Sequence, residues 1–332
     1  MVIRFILAGV AVVAVAGWPR SRLGAAAALG AGVLSGGIIA AAAEAAPMLL
    51  FLTAALGLAA VAERLGLVER AVTVLARRGD GSTLRLYALV CALSALLTAV
   101  ISLDGAVVLM VPLVAVLARR CRIAFGPFFL GVVTVANAAS VAVPEGNPTN
   151  LVVMSRLGLS PNAFLLHLFV PGVCATLVCA VLAARHLNPR RYAIPSVDGN
   201  ELTPRGFFFP ARIGVQLIGL LAALRGLVPS LSPGGHELPV LLVVAAGTAG
   251  LAALANNLPV SAAAATFLTA GPGAYAALIG LTVGALATPH GSVATMIARD
   301  LAGEDGGLPS TTLAPAAGLA VLCATFVLWT TL

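Results

Sequence analysis

The sequence predicts an all-α polytopic membrane protein, and three observations carry that expectation. Hydrophobic residues make up 60% of the 332 residues and charged residues 9%, far below the roughly 25% charged of a soluble domain. Apolar runs of about 20 residues, enough to cross a hydrocarbon core of about 30 Å, recur along the chain. Alternating ten-residue strands, the mark of a membrane β-barrel, are absent.

Hydropathy places eight spans near 2–18, 23–42, 45–62, 126–157, 162–184, 207–228, 272–303 and 311–331. The first has only Arg4 as a basic flank and Trp18-Pro19 where a cleavage site needs small residues, so it reads as a retained helix rather than a signal peptide. Two further apolar stretches, 84–118 and 238–270, carry polar tips in their middles. Each is either two crossings or one re-entrant hairpin that leaves on the side it entered. A polar tip is better placed lining a cavity than in lipid, which favours re-entrant hairpins.

All 19 basic residues are Arg, and they gather in short loops. Arg64, Arg70, Arg77, Arg78 and Arg85 precede the first hairpin, and Arg119, Arg120 and Arg122 follow it, so both its flanks read as cytoplasmic. The flanks of the second hairpin carry no Arg and read as external. Carried along the chain, this puts Arg20, Arg22, Arg185, Arg190, Arg191, Arg205, Arg212 and Arg299 inside and only Arg4, Arg156 and Arg225 outside. Both termini are then external, in a multi-pass inner (plasma) membrane protein. Hairpins entering from opposite faces are the signature of inverted repeats. The expected organisation is N-terminal transmembrane helices over 1–42 and a first repeat over 43–184, with its hairpin and the broken helix 126–157. A cytoplasmic linker over 185–206 and a second repeat over 207–332, with its hairpin and the broken helix 272–303, follow.

Four polar clusters interrupt the apolar sequence: Ser102-Leu103-Asp104-Gly105, Pro144-Glu145-Gly146-Asn147-Pro148-Thr149-Asn150, Asn256-Asn257-Leu258-Pro259 and Thr288-Pro289-His290-Gly291-Ser292. Broken backbone at membrane depth is tolerated where it lines a cavity, and paired breaks in two halves point to a transporter's binding site. Asp104 costs about 2.5–3.5 kcal/mol in the bilayer unless paired, protonated or wet; as a favoured N-cap it also suits a helix restart. Pro148 lacks an N–H, disfavours helix at Asn147 and fits the first turn of a new helix. Asp104, Glu145 and His290 are the candidates for proton or ion coupling. Ser102, Gly146, Asn147, Thr149, Asn150, Asn256, Asn257, Thr288, Gly291 and Ser292 are the candidates for substrate binding. His290 and Ser292, two residues apart in a break, are poor triad geometry, and no G-x-S-x-G elbow exists. An enzyme is not expected, nor is a metal or cofactor: the five cysteines show no paired CxxC spacing. No basic patch interleaved with aromatics suggests nucleic acid.

These clusters, in this order, resemble the arsenite/antimonite efflux transporters of the ArsB type, within the ion transporter superfamily. Leu103-Asp104-Gly105-Ala106 and Val111-Pro112-Leu113 look like that family's first hairpin motif. Asn256-Asn257-Leu258-Pro259 is close to its N-N-M-P, and Thr288-Pro289-His290-Gly291-Ser292-Val293-Ala294-Thr295 to its T-P-I-G-S-L-A-T. The similarity covers most of 44–184 and 207–303. It implies export of arsenite- or antimonite-like oxyanions or metalloids coupled to proton entry. The chain departs at His290, where the family has an apolar residue, and at residues 145–150, which are nearer the G-x-P-x-N breaks of sodium/anion symporters. The second half is also short by roughly two spans, which a homodimer would compensate. A sodium/proton antiporter or sodium-coupled anion symporter of the same fold is the alternative. The expected partners are thus the bilayer, a small substrate, and protons or sodium.

Overall fold

A computed structural model describes residues 2–17, 22–193, 211–224 and 235–332. The linker residues 194–206, the two ends of the span expected at 207–228, and Arg20, Arg205 and Arg225 lie outside the described residues. The described residues are helical, with one isolated bridge between Ser82 and Arg191.

The chain opens with α1 (Val2–Gly17), α2 (Arg22–Leu34) and α3 (Ile38–Arg64). The break between α2 and α3 falls at residues 35–37, not at the hydropathy dip of 43–44. Gly36 sits at φ +78°, which ends a helix, whereas the alanines from Ala40 to Ala43 are strong helix formers and α3 runs through them. A short helix that hydropathy missed follows, α4 (Leu67–Arg78). It buries Val68, Val72, Leu75 and Ala76 on one face, against α6, while Arg70, Arg77 and Arg78 are exposed. Only a 3.6-residue period reveals such a half-apolar helix.

The first polar-tipped stretch forms α5 (Thr83–Val100) and α6 (Leu103–Cys121). Then α7 (Phe125–Ala139) stops, a 3₁₀ turn covers Pro144–Gly146, and α8 (Pro148–Leu157) restarts. After α9 (Pro161–Ala184) and α10 (Ala211–Leu224) comes the second stretch, α11 (Leu238–Ala255) and α12 (Asn257–Ala264). The last part has α13 (Pro272–Val283), a 3₁₀ turn over Gly284–Ala287, α14 (Val293–Ala302) and α15 (Ser310–Thr331). The two tipped stretches differ in build, because α12 has 8 residues where α6 has 19.

Among the described residues, four helices, α5, α9, α11 and α15, are long and apolar enough to cross a membrane; shorter apolar helices accompany them. Eight spans were expected. The difference arises partly because the interruptions at 140–147 and 284–292 cut two long apolar stretches into pieces shorter than a span.

Helices α11 and α13 pack closely along their length, and glycine lets them do so. A Cβ on Gly280 would overlap the Ala245 carbonyl oxygen and Thr248 Oγ1, and one on Gly284 would overlap Ala249. Small residues four apart let two backbones touch, the usual device of membrane helix pairs. Helices α2 and α10 close in the same way at Gly32 and Gly219.

The chain leaving α9 folds back over the turn between α4 and α5. Tyr192 N donates to Gly81 O at 2.8 Å, Thr83 N to Arg190 O at 3.1 Å, and Tyr192 Oη to Ala76 O at 2.6 Å. Burial pushes the Tyr192 phenol above its ordinary range, so it stays a donor. Tyr192→Phe should destabilise the protein by about 1 kcal/mol, leaving the Ala76 carbonyl unpaired. Thermal unfolding of the purified variant checks this; an unchanged midpoint would show that the strap holds without its hydroxyl.

The tip helices pack crosswise. Helix α6, after the first tip, lies against α14, after the second interruption, while α12 lies against α8. Arg156 of α8 fixes the second contact by donating from Nη1 to Ala262 O, in the last turn of α12, at 3.0 Å.

Candidate substrate and coupling site

The crossed packing brings the starts of four helices to one place. Leu103 and Asp104 of α6, Pro148 and Thr149 of α8, Asn257 and Leu258 of α12, and Val293 and Ala294 of α14 line a small cavity of about 10 Å³, with Asn147. Every one of these helices turns its N-terminal, electropositive end toward the cavity.

Each start is shaped by its polar cluster. Ser102 Oγ accepts from Gly105 N at 3.4 Å and Ser292 Oγ from Thr295 N at 3.1 Å. Asn147 Oδ1 accepts from Thr149 N at 3.0 Å and Asn256 Oδ1 from Leu258 N at 3.3 Å. Both tip residues lie in left-handed backbone space, Ser102 at φ 139° and Asn256 at φ 72°. For non-glycine residues that costs of order 1–3 kcal/mol each, and it persists where surrounding structure fixes it. Here the fixing bonds at the second tip are visible. Asn256 Nδ2 donates to His290 O at 2.8 Å, Asn257 N to Gly291 O at 2.7 Å, and Thr288 Oγ1 to Ala253 O at 2.6 Å.

The first interruption is braced by Asn150, whose Nδ2 donates to Ser140 O at 2.7 Å and Val143 O at 3.0 Å. Its Oδ1 accepts from Thr282 Oγ1 of α13 at 3.4 Å. Gly146 packs directly on the Ser140 carbonyl, and Gly291 on that of Ala285, where any Cβ would intrude.

What remains unbonded defines the chemistry. The starts of α8 and α12 have no spare amide, since proline lacks one and the rest are bonded. Among the described residues, the amides of Leu103, Asp104, Val293 and Ala294 have no acceptor. Thr149 is fully buried, and its Oγ1 has no partner. Asp104 is 2% exposed, and among the described residues its carboxyl has neither a hydrogen-bond nor an ion-pair partner. Unpaired donors and one unpaired acid thus share a cavity.

The structure brings together Asp104, Asn147, Thr149 and Asn257 of the residues singled out in the sequence. Ser102, Gly146, Asn150, Asn256, Thr288, Gly291 and Ser292 surround them and build the breaks. His290 is buried, with Nε2 unpartnered, and does not line the cavity. Glu145 is exposed on its 3₁₀ turn and stands apart from the others. The sequence reading missed Asn137 of α7, buried, with Nδ2 on Thr295 Oγ1 at 3.3 Å and Oδ1 unpartnered. A lone asparagine in the apolar run Val132-Val133-Thr134-Val135-Ala136 was the available signal. It also missed the free amides of Leu103, Val293 and Ala294, which no side chain advertises.

Apolar helices interrupted around a shared small cavity that holds buried polar groups point to a multi-pass membrane transporter. Comparison with known proteins bears this out. The profile of the citrate transporter family, CitMHS, matches residues 6–224. A 46 kDa membrane protein of Mycobacterium leprae is 29% identical over 170 residues, 49% of this chain and 39% of that protein. An uncharacterized transporter of Mycobacterium tuberculosis is 30% identical over 142 residues, 43% of this chain and 32% of its own. A Dictyostelium discoideum transporter named arsB is 29% identical over 96 residues, 28% of this chain and 17% of its own. The chain belongs to the citrate transporter family. Its matches span about two fifths or less of the length of these relatives.

Proposed function

We propose that the protein is a secondary transporter for a small anion of the carboxylate or oxyanion class, carried together with a neutralising proton or cation. The observation that carries this is the cavity at four helix starts, with four free amides and an unpartnered threonine hydroxyl. Helix N-termini each favour an anion by about 0.3–1 kcal/mol, and more when partly buried. Asp104 opposes this: a like charge 4 Å away costs about 4 kcal/mol at an effective dielectric of 20. The two effects are of similar size, so an ionised Asp104 cancels what the amides offer. Neutralising Asp104 with a proton or cation tips the balance, which makes co-transport the natural stoichiometry. The family's description as citrate transporters supports a carboxylate.

The crossed packing supports inverted repeats, with each tip helix docked on the other half's interrupted helix. The arginine distribution supports external termini and cytoplasmic flanks for the first tip. Arsenite export in exchange for protons is the second reading, favoured by the Asn256-Asn257-Leu258-Pro259 match and the arsB-named relative. A mostly uncharged substrate would compete with the proton on Asp104 rather than require it.

Proteoliposomes given citrate, smaller carboxylates and arsenite, each under an imposed pH or sodium gradient, separate these readings. Carboxylate uptake down the cation gradient is the expected result; arsenite flux with no carboxylate flux would overturn it. Thr149→Val should weaken substrate binding about three- to tenfold, the worth of one net hydrogen bond. The same change removes an unpaired buried oxygen, so the empty protein should unfold at the same temperature or higher. A variant that binds as wild type would remove Thr149 from the site.

A further inference from the structure

A second cavity, of about 340 Å³, lies between α7, α9 and α15 and shares no residue with the first. One end is polar: Arg185 and His186, which follow the last residue of α9, and the hydroxyls of Thr311 and Thr312, at the start of α15. The other end is apolar, walled by Leu182, Ala316 and Leu319. No acidic residue lines it. Among the described residues the side chains of Arg185 and His186 have no hydrogen-bond or ion-pair partner, and both residues are exposed.

The polarity follows membrane depth. Helices α9 and α15, with 24 and 22 residues, reach about 36 and 33 Å and cross a core of about 30 Å. Residues at their ends therefore sit at headgroup level. From Thr311 to Leu319 the groove descends about 12 Å along α15 into acyl-chain territory. Leu319 is 45% exposed, so the apolar end opens sideways.

We propose that this groove binds an anionic phospholipid, its phosphate on Arg185, His186 and the threonine hydroxyls and an acyl chain against Leu182, Ala316 and Leu319. Charge complementarity selects an anionic headgroup, since two basic side chains face no acid. The lateral apolar opening selects a lipid over a free phosphate, which would leave that wall unused. Basic pockets between membrane helices recognise headgroups on the same principle. The proposal is independent of the transported substrate.

The test uses the full chain, delipidated in mild detergent, with phosphatidylglycerol, phosphatidylcholine or inorganic phosphate added, followed by native mass spectrometry and thermal unfolding. Phosphatidylglycerol should appear as a retained adduct and raise the unfolding midpoint, with phosphatidylcholine weaker and inorganic phosphate without effect. The double variant R185Q/H186Q should bind phosphatidylglycerol about tenfold more weakly. Leu319→Trp, which keeps the charges and fills the apolar end, should weaken it as well. Arg78→Gln, a basic residue elsewhere, should not. Wild-type binding by R185Q/H186Q or by Leu319→Trp would overturn the proposal. So would an equal effect of Arg78→Gln, which would mean diffuse surface charge, or stabilisation by inorganic phosphate alone.

Discussion

Asp104→Asn is expected to leave a folded transporter that binds substrate but no longer concentrates it. The carboxyl is buried in the cavity and has no cationic partner among the described residues. In the wild type, an anion entering the cavity meets a repulsion of about 4 kcal/mol unless Asp104 is neutralised, which is about a thousandfold in affinity. That penalty is what couples the two bound species. Asparagine is isosteric and always neutral, so the anion binds without a co-ion and the coupling disappears. Gradient-driven net uptake into proteoliposomes should fall at least about a hundredfold, while substrate counterflow should stay near wild type. Glu145→Gln, at an exposed position on the 3₁₀ turn, should alter neither. Ion-driven accumulation that survives in Asp104→Asn would place the coupling charge elsewhere and remove the proposal.

Gly280→Leu is expected to be the most damaging single packing change. Even one methyl group at this position overlaps the Ala245 carbonyl and Thr248 Oγ1, so α11 and α13 must separate. Overpacking in a core typically costs about 1–3 kcal/mol, and backbone gives way less readily than side chains. The damage should also travel. Thr282, two residues on, donates to Asn150, which in turn braces the interruption that aims α8 at the cavity. We expect a sharply lower unfolding temperature and loss of transport. Gly247→Leu on α11 is the matched control, because a Cβ there meets nothing within 4 Å. Equal stability of the two variants would mean that the glycine contact does not hold the pair together.

The places where helices stop were legible in the sequence, because the signals are local. Proline at 148 and glycine beside polar residues break a helix wherever it sits. Lengths were less legible: α12 ends at Ala264 without a proline or glycine to mark it, and α3 runs past a dip in hydropathy. The face of Glu145 was illegible, since a three-residue 3₁₀ turn has no period to read. The side chains of the four clusters, two acids and several amides among them, carry no Arg or Lys that would mark an anion site. The free donors of Leu103, Asp104, Val293 and Ala294 belong to the backbone, whose positive potential leaves no trace in composition. Asn150 and Asn256 were legible as important residues, yet the bonds they make brace the frame around the cavity.

The crosswise docking of α6 on α14 and α12 on α8 carries a consequence for biogenesis. While the ribosome has delivered only the first half, the Asp104 tip and the Asn147 start lack the helices that wall them in. The nascent protein must hold these polar points in the bilayer, or at its edge, until α12 and α14 emerge. Completion is therefore an assembly step between halves. Separately synthesised halves, divided in the linker, should regain transport only when made together in one membrane.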